Sequence, residues 1–248
     1  ISLNTTYKPR GERDYFEPRT PGRFYRTEDA YSVQLTYSSD YRRRLYIDGN
    51  FSYGRIREKT PQDDFGFMFQ PTFRASNRLN MMYRLQYEMM KNNTGFVKRN
   101  NHDEVFFGRR SSPTWINSCR ANYIFSNSLS LGFDLRHYWS RVEYDGQYFM
   151  LQTDGRLQPI DDDLGISNIN YNAFTIDMML TWHFAPGSQM TIAWKNVIDS
   201  RTDNASQNYF DNLSGILNQP QINSLSVRLL YYIDYQNIRH HTRNMFSS

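Results

Sequence analysis

The stretch LSLGFDLRHYW, residues 129–139, alternates apolar and polar side chains along its whole length. Successive side chains of an extended strand point to opposite faces, so this stretch predicts a strand with one apolar and one polar face. Four further stretches share the period: LYIDGNFSY at 45–53, LNMMYRLQYEM at 79–89, FTIDMMLTWHF at 174–184 and LSVRLLYYIDY at 225–235. Soluble strands average about 5–6 residues, whereas a tilted membrane-spanning strand needs about 9–11. These lengths favour an antiparallel transmembrane β-barrel over a two-sheet sandwich.

Short polar turns and longer irregular segments alternate along the chain. The turns fall at 39–42, 76–78, 126–128 and 185–188. The longer segments span 9–29, 91–112, 144–169 and 200–222, with a shorter link at 58–64. Outer-membrane barrels have short periplasmic turns and longer external loops. We therefore expect ten wall strands, ascending at about 1–8, 43–57, 78–90, 128–143 and 188–199 and descending at about 30–38, 65–75, 103–126, 170–184 and 223–235.

Two regions depart from this regular pattern. Pro113 predicts a kink or an interruption within 103–126, because proline cannot donate to a strand ladder. Residues 147–157 predict a hairpin within an external loop rather than a wall strand. The barrel domain is expected to span 1–235, with Tyr235 at its periplasmic end, and 236–248 to form a polar periplasmic tail.

The composition of the 248 residues supports this class of protein. Hydrophobic residues make up 39% and the mean hydropathy is −0.75, so no segment qualifies as a transmembrane helix. Aromatic residues reach 16%, as expected for rings at both membrane interfaces. The net charge of +4 is scattered along the chain, which argues against nucleic-acid binding. The single cysteine, Cys119, excludes an internal disulfide.

Six short motifs resemble a known family when they are taken together in order. They are FEPRTPGR at 16–23, SSDYR at 38–42, FGRR at 107–110, RHYWS at 136–140, WHFAPGS at 182–188 and LLYYIDY at 229–235. This order resembles the carboxy-terminal barrel region of a Bacteroidota outer-membrane family, the domain of unknown function 5916, from about Asp14 to Tyr235. The resemblance implies a missing amino-terminal part with a domain similar to a family-nine carbohydrate-binding module. It implies no established activity, and it favours a larger barrel over closure by these ten strands alone.

No residue set predicts catalysis, a metal site or a cofactor. An outer-membrane phospholipase needs a serine and a histidine on the same strand face, but His137 and Ser140 are three residues apart and fall on opposite faces. His137, beside Trp139, is expected at the membrane interface instead. The other histidines lack a second ligand at metal-binding spacing: His102, His183, His240 and His241.

The segment from Lys8 to Arg26 is rich in arginine: Arg10, Arg13, Arg19, Arg23 and Arg26. One interpretation is a loop that binds lipopolysaccharide phosphates or folds into the lumen as a constriction, since guanidinium groups suit such anions. The interpretation that we favour is an external loop whose charges pair with its own carboxylates: Glu12, Asp14, Glu17, Glu28 and Asp29.

The predicted barrel gives two sets of candidate residues. The first set comprises charges expected to face the lumen: Asp48, Arg84, Glu88, Arg120, Asp134, Arg136, Asp177, Lys195 and Arg228. The second comprises aromatic belts, with Tyr37, Phe125, Trp182, Phe184 and Tyr235 near the periplasmic interface and Tyr53, Tyr87, Trp139, Phe174 and Trp194 near the outer one.

Two classes of function follow from these sequence features. The favoured one is a non-enzymatic accessory or anchoring barrel in the bacterial outer membrane, in contact with lipid, lipopolysaccharide and other outer-membrane proteins. The alternative is a transport or uptake barrel for glycans or other small polar solutes, with glycan captured by the missing amino-terminal domain. Charges that pair across the lumen would favour the first, and charges that segregate by sign would favour the second.

Overall fold

A computed structural model describes residues 1–205 and 208–233. The fold is all-β, with one short helix beside a large antiparallel sheet. No helix in the described ranges is long and apolar enough to cross a membrane. The elements are β1 (Ser2–Lys8), β2 (Arg13–Asp14), β3 (Tyr25–Arg26), β4 (Ala30–Ser38), β5 (Leu45–Ile56), β6 (Gln62–Arg74), β7 (Leu79–Arg99), β8 (Val105–Ser126), β9 (Leu129–Leu151), β10 (Leu157–Ile160), β11 (Ile169–Ala185), β12 (Ser188–Thr202), α1 (Tyr209–Leu217) and β13 (Ile222–Leu230).

Ten of these strands form one antiparallel meander in the order β1-β4-β5-β6-β7-β8-β9-β11-β12-β13. Each corresponds to a predicted wall strand, so the all-β antiparallel prediction is confirmed. Among the described residues β1 and β13 do not pair with each other, so each leaves one edge free and the described sheet is not a closed barrel. β13 ends at Leu230. The predicted barrel end at Tyr235 and the tail at 236–248 lie outside the described residues.

The strand register sorts the side chains onto two faces. Residues directly opposite each other in paired strands share a face. Leu131, Leu180, Ile192 and Val227 are opposite one another on four successive strands. A second apolar row crosses β4 to β8 at Leu35, Phe51, Phe67, Tyr87 and Trp115. We call the side that carries these rows the apolar face and the opposite side the polar face.

The two ends of the sheet differ in their connections. At the short-turn end, four brief turns join the wall strands at 39–44, 75–78, 127–128 and 186–187. These match the predicted short turns. At the other end, which we call the extended end, three connections are more structured than the sequence predicted.

The predicted irregular segment 91–112 is instead a paired hairpin. β7 continues to Arg99 and β8 begins at Val105. The register between them shifts after Met90, where Asn92 has a φ of 55°. An extra residue at such a bulge breaks the alternation while the strands stay paired. The alternation of apolar and polar residues therefore stops at the bulge, although β7 continues beyond it.

The segments 144–169 and 200–222 also contain regular structure. β9 runs to Leu151, so residues 147–151 continue a wall strand, contrary to the prediction. β10 pairs with the end of β9 from Leu157, so a hairpin does occur in this region. Helix α1 occupies Tyr209–Leu217, where a loop was expected.

Pro113 does not interrupt its strand. It lies inside β8 opposite Met89 of β7, so the predicted kink or strand-loop-strand is replaced by one continuous strand. The pairing of β8 with β9 skips Ser112 and Pro113 and resumes in the same register at Thr114.

Candidate functional site

Four of the predicted lumen charges form one row across the polar face. Arg120, Asp134, Asp177 and Lys195 are opposite one another on β8, β9, β11 and β12. Arg120 Nε donates to Asp134 Oδ2 at 2.6 Å, and Lys195 Nζ lies 3.7 Å from Asp177 Oδ1. The two central carboxylates are therefore flanked by one cation on each side.

The other predicted lumen charges lie on the same face and contact nearby polar groups. Tyr41 Oη donates to Asp48 at 2.6 Å, and Arg84 Nε donates to Gln70 at 2.6 Å. The Gln86 amide donates to Glu88 at 2.7 Å. Arg136 lies 5.9 Å from the Tyr138 ring centroid, and Arg228 is opposite Thr191. Charges of both signs are mixed in the middle of this face.

The connection between β1 and β4, residues 9–29, crosses the extended end as a folded segment that we call the strap. Its β2 and β3 form a small two-stranded sheet. Polar-face residues of the first wall strands line a cavity of about 760 Å³ together with strap residues. Those polar-face residues are Thr6, Lys8, Ala30, Ser32, Gly54, Ile56 and Asp64. The strap therefore lies over the polar face of β1 and β4 to β6.

Glu17 attaches the strap to the β7–β8 hairpin. Its Oε1 accepts a hydrogen bond from the Phe96 backbone N–H at 2.8 Å and another from Arg110 Nη2 at 3.3 Å. A Cβ built on Gly95 would clash with that same carboxylate oxygen and with the Arg110 guanidinium. A larger residue at this position would therefore displace both side chains from each other.

Tyr25 forms the apolar attachment of the strap. Its ring lies 5.3 Å from the fully buried ring of Phe107, within a core that also contains Val105 and Leu151. Its hydroxyl donates to Glu58 Oε1 at 2.6 Å. Burial, followed by the charge of Glu58, raises the pKa of Tyr25 well above its usual value. The phenol is thus held in its neutral form.

Among the described residues, no strap arginine forms the ion pairs with strap carboxylates that we favoured. Arg13 and Arg19 lie over the rings of Phe24 and Phe96, and Arg23 Nη2 donates to the Leu151 carbonyl at 2.5 Å. The carboxylates pair instead with cations of the wall and its connections: Glu12 with Lys8, Glu17 with Arg110 and Asp29 with Arg57. The loop is folded onto the polar face of the first wall strands.

Helix α1 covers the apolar face at the extended end. Tyr209 Oη lies 3.0 Å from His137 Nδ1 and accepts a hydrogen bond from the Asn117 amide at 2.8 Å. Phe174, Ile198 and Ile216 form a buried core beneath the helix. His137 is 2% exposed, so the prediction of an interface position with a free polar edge is wrong. Ser140 is on the other face, as predicted, and bonds with Thr114.

Buried asparagines join the helix to the sheet. The Asn172 amide donates to Asn212 Oδ1 at 2.9 Å, and the Asn212 amide donates back to Asn172 Oδ1 at 2.5 Å. Trp139 Nε1 donates to Asn170 at 2.7 Å. Because buried polar groups cost free energy unless they are bonded, this network fixes where the helix sits.

The predicted aromatic belts fall on the apolar face, but the outer belt is displaced in part. Trp139 and Phe174 are 2% and 8% exposed because α1 covers them. Trp194 is opposite Met178, midway along β11 between Phe174 and Trp182. Tyr53, Tyr87, Tyr37 and Trp182 keep the expected placement along their strands, and Phe184 stacks on Tyr231. Tyr235 lies outside the described residues.

Sequence reasoning missed the residues that hold the strap and the helix. For α1 a signal was present: Asn208 followed by Asp211 is a capping pattern, and Asn208 does accept from the Asp211 backbone N–H at 3.0 Å. For Glu17 and Tyr25 no signal was available, because their partners are more than thirty residues away. In the described ranges no group of histidine, cysteine and acidic residues could hold a metal ion.

Comparisons with known proteins place the chain in a family without an assigned activity. Neither the curated proteins nor the solved structures give a match. The family model described as "Domain of unknown function (DUF5916)" matches residues 1–242, nearly the whole chain. This protein therefore belongs to the DUF5916 family.

Proposed function

We propose that this chain forms the wall of a bacterial outer-membrane β-barrel that acts as a non-enzymatic accessory or anchoring component of a cell-envelope assembly. The observation that supports membrane insertion best is the apolar face that crosses ten strands near the short-turn end, opposite a polar face. Near the short-turn end this face leaves Phe73, Trp182 and Leu229 between 43% and 64% exposed. In water such a surface is unfavourable, whereas in lipid it is the surface required.

The strand dimensions suit this proposal. The ten residues nearest each short turn span about 33 Å along a strand, which tilt reduces to roughly the thickness of a bilayer core. β7, β8 and β9 contain 21, 22 and 23 residues and would project beyond it. The free edges of β1 and β13 would have to be paired in lipid, either with each other or with further strands of a larger barrel.

Two features favour an accessory role over transport. The strap lies over the polar face at the extended end, where a solute would have to pass. The charges along the middle of that face are mixed in sign and bonded to neighbours on adjoining strands. If a glycan is captured, we assign that step to a domain similar to a family-nine carbohydrate-binding module outside these 248 residues, in a Bacteroidota envelope.

Membrane insertion is tested by placing a charge on each face at the same height. Leu180→Arg lies in the apolar row, and Thr181→Arg, its neighbour on the polar face, is the matched control. We expect Leu180→Arg to cost about 2–4 kcal/mol of folding free energy in bilayers and Thr181→Arg much less. The measurement is reversible unfolding from lipid vesicles. Equal losses of folding free energy in the two variants would contradict membrane insertion.

The accessory role is tested by conductance across a planar bilayer. The intact barrel should conduct small ions poorly, because the strap blocks one end. Steady, large conductance by the intact protein would favour the transport alternative instead.

A further inference from the structure

The short-turn end of the polar face contains a concentration of arginine that the proposed function does not use. Three arginines lie in the turn between β4 and β5, one ends β6 and one lies in the turn between β6 and β7: Arg42, Arg43, Arg44, Arg74 and Arg78. They line one cavity of about 690 Å³. We call these five residues the arginine cluster.

Backbone contacts bring the two turns together. The Arg74 N–H donates to the Arg44 carbonyl at 2.7 Å, because Leu45 and Phe73 are opposite each other at the ends of β5 and β6. The Ile124 N–H donates to the Arg78 carbonyl at 2.8 Å and ties the second turn to β8. The cluster is therefore held by the sheet itself.

The charges of the cluster are poorly balanced. Arg42 forms the one ion pair of the cluster among the described residues, donating to Asp40 from Nε at 2.9 Å and Nη2 at 3.0 Å. Arg74 lies 5.1 Å from the Tyr46 ring centroid. In the described part of the chain, Arg43, Arg44 and Arg78 have no carboxylate within ion-pair distance. The cluster therefore carries an excess of positive charge.

The remaining lining can add neutral hydrogen bonds. Asn80 and Asn122 line the cavity, and their side-chain amide N–H groups can donate to an anion. Ser76 Oγ accepts from the Arg78 and Leu79 backbone N–H groups, which leaves its own hydroxyl hydrogen free to donate. All five arginines are exposed, so a solute reaches them without rearrangement.

We propose that the arginine cluster binds a small solute that carries at least two phosphate groups. Guanidinium forks match phosphate oxygens in geometry and charge, and several unpaired forks around one cavity can bind two groups at once. The cavity volume is within the range of small-molecule sites. Binding of such an anion would also relieve the mutual repulsion of the arginines. The inference does not depend on membrane insertion, because it concerns one rim of the sheet.

The test uses the full chain in uncharged detergent, with inorganic pyrophosphate as the probe and isothermal titration as the measurement. The disrupting variant is Arg74→Gln with Arg78→Gln. The matched control is Arg99→Gln with Arg156→Gln, which removes the same charge from exposed side chains at the extended end. We expect saturable binding, at least tenfold weaker in the disrupting variant and within twofold of wild type in the control.

Several outcomes would overturn the inference. They are the absence of saturable pyrophosphate binding, an equal loss in the control variant, or orthophosphate binding as tightly as pyrophosphate. If the disrupting variant fails to fold, Arg43→Gln replaces it, because this exposed turn side chain has no ion-pair partner among the described residues. Unchanged binding in Arg43→Gln would then count against the cluster.

Discussion

The two ends of the sheet differ in how far their apolar and polar side chains are covered by the rest of the chain. At the extended end the strap covers part of the polar face, α1 covers part of the apolar face, and both buried cores of the described chain are found there. At the short-turn end no described segment covers either face. Phe73 and Phe125 remain 43% and 44% exposed, and the arginine cluster is open.

This difference shows which part of the chain is built for water. The extended end buries aromatic rings against its own segments, as a water-soluble domain does. The wall near the short turns leaves its apolar face uncovered by any described segment, while its polar face is lined by bonded charges. The change from covered to uncovered surface occurs along β7, β8 and β9.

The largest expected effect compares a buried and an exposed phenylalanine at the two ends. Phe107→Ala should cost about 3–5 kcal/mol of stability at the extended end, since its fully buried side chain leaves a cavity beneath the strap. Phe73→Ala, at the short-turn end, should cost clearly less because little packs against it. Unfolding free energies in lipid give the two losses. Comparable losses would mean that both ends are packed alike.

A smaller effect compares two glutamates of the strap. Glu17→Ala removes a part-buried carboxylate that accepts hydrogen bonds from a backbone N–H and a guanidinium. The free energy that holds the strap against the sheet should fall by about 1.5–3 kcal/mol. Glu12→Ala removes an exposed pair with Lys8 and should cost about 0–1 kcal/mol. The rate of limited proteolysis within residues 9–29 measures strap release. Equal rates would show that Glu17 does not hold the strap.

Much of the wall could be predicted from the sequence because its signal is local. A strand with one apolar face has an apolar residue at every second position, and Leu129, Leu131, Phe133 and Leu135 show this alternation directly. Once the strands were placed, the same alternation predicted that four charged residues share the polar face: Arg120, Asp134, Asp177 and Lys195.

The extended end could not be predicted because its structure depends on distant partners. The bulge at Asn92 interrupts the alternation of apolar and polar residues, so the continued pairing of β7 and β8 was not predicted. Trp139 was assigned to an aromatic belt because no residue close to it in the sequence indicates that a helix packs over it. The Glu17 attachment joins residues 79 positions apart. The arginine cluster was visible in part as the run at 42–44, but Arg74 and Arg78 join it only through strand register.

The smallest expected effect concerns the hydroxyl of Tyr25. Tyr25→Phe removes the hydrogen bond to Glu58 but keeps the ring against Phe107, so the loss near neutral pH should be about 1 kcal/mol. Tyr15→Phe, which changes an exposed ring of the same strap, is the control and should cost less. Denaturant unfolding compares the three proteins.

The pH dependence gives this comparison a sharper form. Burial and Glu58 raise the folded-state pKa of Tyr25, so the folded protein holds the phenol neutral more strongly than the unfolded chain does. The stabilisation that follows from the raised Tyr25 pKa is fully present below the unfolded-state pKa of about 10. It is lost as the pH rises above that value. Wild type and Tyr15→Phe should therefore lose more stability than Tyr25→Phe between about pH 9 and pH 11. An ionised phenolate beside the half-buried Glu58 carboxylate would push the strap away, whereas phenylalanine cannot ionise. Parallel curves for wild type and Tyr25→Phe would show that Tyr25 is not enclosed by the strap, and that the extended end is as open to water as the short-turn end.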